Sequence, residues 1–142
     1  MVRAAWALAL CACAAKPAPS MEPSAKPTRQ AAQDPRSEIE QLANDIEDAR
    51  IGMHLGELSP ALIEGTKAEP LAVVPSSKDA SCHPAQTETC SSSCTFSDSI
   101  CVNAKRICDL SVSMAGDRWA QDKCKRASAT CTVAHEKCCS CR

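Results

Sequence analysis

Cys94, Cys101 and Cys108 are spaced by seven residues, and so are Cys124, Cys131 and Cys138. Seven residues is close to two helical turns, so each trio lines one face of an α-helix. Neighbours within a trio stand roughly 10.5 Å apart along the helix axis. A disulfide needs Cα atoms within about 7 Å, so no bridge forms inside a trio. Of the many connectivities that six cysteines allow, an antiparallel hairpin permits one without distortion: Cys108 with Cys124, Cys101 with Cys131, and Cys94 with Cys138. Each pair is centred on Gly116. Glycine is favoured just past a helix end, and Asp117 is a natural N-cap for the second helix. Thr95, with Asp98 three residues on, reads as the cap of the first. Between the cysteines stand small residues: Ser97, Ala104 and Ser111, then Ala120, Ala127 and Ala134. Such residues let two helix backbones approach at the low end of the usual spacing of about 8–10 Å.

Four further cysteines follow from the same register. Cys90 falls nearly opposite Cys141, a fourth rung. Cys82 then joins Cys139 and ties the incoming chain down. Twelve cysteines in 142 residues mean metal sites in a reducing compartment and disulfides in an oxidising one. The N-terminus points to the second. Met1-Val2-Arg3 is a basic start, and Ala4 to Leu10 is an apolar run far shorter than the ~20 residues that span a bilayer. It reads as the core of a signal peptide. Leu10-Cys11-Ala12-Cys13 resembles the lipobox of bacterial lipoproteins, which implies cleavage after Ala12 and acylation of Cys13. Ala12-Cys13-Ala14 as an ordinary small-x-small cleavage site is the competing reading. With Cys11 removed and Cys13 lipidated, ten cysteines remain, an even number that can pair completely.

The chain then divides into a signal segment (1–12), a tether rich in proline and alanine (13–36), an amphipathic helix (37–55), a linker (56–81) and a cysteine-rich helical hairpin (82–142). The tether carries Pro17, Pro19, Pro23, Pro27 and Pro35; such a composition cannot bury a core and is expected to be disordered. Ser37-Glu38-Ile39-Glu40 fits a capping box. Ile39, Leu42, Ile46, Ala49 and Met53 recur at alternating steps of three and four, the pattern of a packed helix face. Two heptads are too few to hold a helix alone, so this one must pack on something. Phe96, Ile100, Ile107 and Leu110 form a second stripe on the first hairpin helix, where it is expected to dock as a third helix. Ser59-Pro60 can start one more short turn. The fold class is thus all-α. The chain has one phenylalanine, two tryptophans and no tyrosine. Large side chains supply most burial energy, so a domain of this composition relies on cross-links or a metal. Trp119 reads as a packing anchor.

Net charge is −1, which suggests no nucleic-acid partner. The charge is uneven, with nine acids against three bases from Asp34 to Glu69 and eight bases against five acids from Cys94 to Arg142. Two solvated faces explain this, as does docking of the acidic segment on the basic one. No hydrolase constellation, phosphate loop or small-molecule site is legible, and His54, His83 and His135 sit in no recognisable motif. The expectation is a non-enzymatic structural or interaction module without a cofactor, held to the membrane by lipid and facing an envelope protein partner. The alternative is thiolate binding of zinc or cuprous copper. Cys90, Cys94, Cys138 and Cys141 would be its ligands, with His83 and His135 nearby in sequence. A thiol oxidoreductase built on the C-x-x-C spacing of Cys138 and Cys141 lacks any βαβ context.

Ile100-Cys101, Asn103-Ala104, Arg106-Ile107-Cys108, Trp119-Ala120, Lys123-Cys124 and the terminal Cys138-Cys139-Ser140-Cys141 carry a resemblance. The segment from Cys90 to Cys141 is similar to uncharacterised cysteine-rich lipoproteins of myxobacteria. The resemblance covers about a third of the chain. It implies a helical exported domain and brings no activity with it. The plan is also similar to mitochondrial twin-cysteine helical hairpins. Those use a longer cysteine spacing and fewer rungs, and share the geometry alone.

Overall fold

The computed structural model describes residues 34–142. The signal segment 1–12, the lipidation site Cys13 and the tether up to residue 33 lie outside the described residues. Those described form four helices and no strand: α1 (Pro35–Gly52), α2 (Pro60–Gly65), α3 (Glu88–Ser113) and α4 (Arg118–Cys139).

The frame is the α3–α4 hairpin. Three bridges, Cys94–Cys138, Cys101–Cys131 and Cys108–Cys124, join the two helices with Cα atoms 4.7 Å apart at each. Backbones this close leave room for small side chains alone. Ser97, Ala104, Ala120 and Ala134 accordingly fill the spaces between rungs and are fully buried. The chain reverses through Met114–Asp117, closed by the Asp117 N–H donating to the Met114 carbonyl at 2.9 Å. Gly116 takes φ +86° in that turn, a conformation that a Cβ would strain. Asp117 then caps α4, its Oδ1 accepting from the Ala120 N–H.

The start of α3 differs from the sequence expectation. Its N-cap is Thr87, whose Oγ1 accepts from the Cys90 N–H at 3.2 Å. Thr95 lies inside the helix and donates back to the Ser91 carbonyl. Asp98 accepts from the backbone and side chain of Ser77, both at 2.7 Å. The run Ser91-Ser92-Ser93 is a poor helix former by propensity. It is helical because the bridges at Cys90 and Cys94 hold its two ends to the other arm.

α1 packs as the third helix. Ile39, Ile46, Ala49 and Met53 meet Ile100, Ile107 and Leu110 of α3 and alanines of α4 in one core. Burying side chains of this size contributes about 1.5–3 kcal/mol each. Its start also departs from expectation: Asp34 is the N-cap and Pro35 the first helical residue, a position where proline's fixed φ and missing N–H cost nothing. Ser37 therefore lies within the first turn. Glu38 reaches out to pair with Arg106 of α3 at 2.7 Å, and Arg36 pairs with Asp117 while lying over the Trp119 ring at 4.8 Å. The two cross-element pairs have opposite polarity, and Glu40, Asp45 and Asp48 stay exposed. The apolar stripe, rather than bulk charge, seats the helix.

α1 ends at Gly52, three residues short of the expected 55. The Leu55 N–H donates to the Arg50 carbonyl and the His54 N–H to the Ile51 carbonyl, a Schellman arrangement. His54 holds its left-handed position with φ +52°. Gly52 lies under the Phe96 ring, where an added Cβ would come within 3.1 Å of Cζ.

Residues 56–81 are more than a linker. Ser59 caps α2 through the Leu62 N–H, and α2 lies against α4. Ala68, Leu71 and Val74 then pack on the hydrophobic core. The Ser77–Asp98 bonds fasten this strap to α3 before it reaches Cys82.

Candidate functional site

The chemistry-bearing residues gather at the end of the hairpin away from Gly116. The strap, the start of α3 and the end of α4 meet there. Cys90 pairs with Cys141 and Cys94 with Cys138. These four sulfurs are thus two bridges and do not form a four-thiolate set. Cys82 pairs with Cys139. The Ala85 N–H donates to the Cys141 carbonyl, and Arg142 Nη1 donates to the His83 carbonyl. These two bonds close the end of the molecule. His83 is otherwise exposed.

The five bridges are not equivalent. Three join α3 to α4, and a fourth joins α3 to Cys141, two residues past the end of α4. Cys82–Cys139 is the bridge that ties the strap to a helix. His135 stands one helical turn before Cys139, and both its ring nitrogens lie close to Cys139 Sγ, at 3.6 and 3.7 Å. Asp79 Oδ2 is 3.8 Å from His135 Nε2. Asp79 belongs to the same turn as Cys82, whose N–H donates to the Asp79 carbonyl at 2.9 Å. Cys82 Sγ also lies 3.9 Å from Cys138 Sγ, so two bridges sit within van der Waals reach of each other. The cluster of Cys82, His135 and Cys139 has its ligand atoms within 4.8 Å of one another.

Sequence reasoning placed Cys82, Cys90, Cys139 and Cys141 in this region and named His135. It missed Asp79 and the contact of His135 with Cys139. The i, i+4 spacing of His135 and Cys139 on one helix face was the available signal. No helix among the described residues is long and apolar enough to cross a membrane. Comparison with protein families, curated proteins and solved structures finds no match for this chain.

Proposed function

We propose that this chain is an exported, lipid-anchored module of the cell envelope, which acts by being held at the surface and bound there by a protein partner, without a catalytic step. One observation carries the reading: all ten cysteines from Cys82 onward are paired, in five bridges. Thiols in this density stay oxidised in the periplasm or outside the cell and are kept reduced in the cytosol. That supports the reading of 1–12 as a leader and of Cys13 as its acylated product. The tether then spaces the stapled helices from the bilayer.

The test is the mass of the mature chain extracted from membranes of its host. The expected N-terminal peptide begins at Cys13 and carries acyl chains, and Cys13→Ala moves the protein to the soluble fraction. An N-terminus at Met1, or a mature chain without lipid, overturns the reading. Protease resistance should vanish when the bridges are reduced and survive a chelator.

A further inference from the structure

Asp79 and Cys82 are separated by two residues on one turn, and His135 and Cys139 by three on one helix face. Two ligands from a turn and two from a helix, at spacings of two to four and three to five residues, is the arrangement that makes a tetrahedral zinc site. We propose that the Cys82–Cys139 bridge is a gated metal site. Opened by a thiol reductant, it presents two thiolates and the His135 imidazole to a thiophilic d10 cation such as zinc, with Asp79 orienting the ring or supplying the fourth ligand.

The opening step balances simply. Two reductant thiols give up two electrons and two protons and leave as one disulfide. The bridge takes up both electrons and both protons and becomes two thiols. Zinc then displaces the two thiol protons as the thiolates bind.

Geometry singles out this bridge among the five. In a tetrahedral site with Zn–S bonds of about 2.3 Å, the two sulfurs must stand about 3.7 Å apart. Three of the other bridges join two helices that are packed face to face, and widening any of them would prise the hairpin open. Cys90–Cys141 also has a partner outside the helices, but among the described residues the histidine stands beside Cys82 and Cys139. Cys82 lies in a turn outside any helix, so the turn can give while the other four bridges hold. Both His135 nitrogens already lie within 4 Å of Cys139 Sγ. Asp79 stands where a carboxylate orients a ligating imidazole. Softness agrees as well: thiolate and imidazole together favour zinc or cuprous copper over hard cations.

The test uses the full chain, purified with its bridges formed. It is treated anaerobically with a graded amount of a phosphine, which takes oxygen from water as it reduces the bridge. The protein is desalted, exposed to zinc ions and desalted again. Alkylation followed by peptide mass analysis reads which thiols are free. Metal analysis reads the zinc retained, and competition with a chromophoric chelator reads the affinity. The expected result is that Cys82 and Cys139 open first, that one zinc is kept per chain, and that zinc shields both thiols from alkylation. Cobalt in place of zinc should show a thiolate-to-metal charge-transfer band. His135→Ala keeps every bridge of the oxidised protein and should weaken zinc binding by more than about tenfold, with Asp79→Asn causing a loss of about tenfold. The proposal is overturned if another bridge opens first or if no zinc is retained. A new Cys82–Cys138 bond, formed by attack of the freed Cys82 thiolate with expulsion of Cys94, overturns it too, as does zinc binding by His135→Ala as tight as in the parent.

Discussion

Two double substitutions, Cys82→Ala with Cys139→Ala and Cys108→Ala with Cys124→Ala, test how nested bridges stabilise the domain. Chain-entropy reasoning scales a bridge's contribution with the loop it closes. By sequence separation alone, 57 residues for Cys82–Cys139 against 16 for Cys108–Cys124, the first should contribute about 4.2 kcal/mol and the second about 3.1 kcal/mol. The structure reverses this order. With Cys90–Cys141 in place, an unfolded chain already joins Cys82 to Cys139 by a path of about ten residues, which lowers the first figure to about 2.7 kcal/mol. For Cys108–Cys124 the path through Cys101–Cys131 is nearly as long as the direct loop, and two such paths in parallel act as a loop of about half the length, which gives about 2.4 kcal/mol. Both sulfurs of the inner pair are also fully buried, and emptying that space adds on the order of 1 kcal/mol. Removing the inner bridge should therefore destabilise more than removing the outer one, by about 0.7 kcal/mol. Guanidinium unfolding followed by far-ultraviolet circular dichroism gives both free energies, since each variant keeps four bridges. If the Cys82/Cys139 variant is the less stable of the two, the nested-loop reasoning is wrong.

Three further outcomes are expected. His54→Gly relieves a left-handed residue and should stabilise by about 1 kcal/mol, while Gly116→Ala should cost about the same; opposite shifts of the guanidinium midpoint check both. Ile107→Asp places a charge where α1 meets α3, a burial that the site cannot accommodate. Limited proteolysis should then cut between residues 37 and 55 while the α3–α4 hairpin stays intact, and an unchanged digestion pattern would contradict the α1 docking. The Ala120 N–H, and after it the Arg36 guanidinium, hold the Asp117 carboxyl below its ordinary value of 3.8 against some desolvation. A group depressed in the folded state adds stability that is full above the unfolded value and is lost as pH falls through the folded one. Stability should thus decline below about pH 4, and Asp117→Asn, which caps a helix as well but does not titrate, should flatten that decline in pH-dependent thermal unfolding.

Sequence by itself determined the hairpin. Heptad cysteine spacing, the distance limit on a disulfide, and a glycine at the shared midpoint leave one register, and the rungs stand in it. The docking stripe of α1 was legible for the same reason: Ile39, Ile46, Ala49 and Met53 repeat with the period of the helix that presents them. Tertiary structure decided the rest. Thr95 and Ser37 have the chemistry of caps, yet Thr87 and Asp34 do the capping. In α3 the bridges at Cys90 and Cys94 carry the helix through a serine run that propensity alone would leave unwound. The strap across residues 66–81 has no periodicity, so its packing through Leu71 and Val74 could be known only from the surface that receives it. The meeting of Asp79, Cys82, His135 and Cys139 joins positions more than fifty residues apart. Such a contact depends on where a folded helix and an irregular turn come to rest, and local pattern does not encode that.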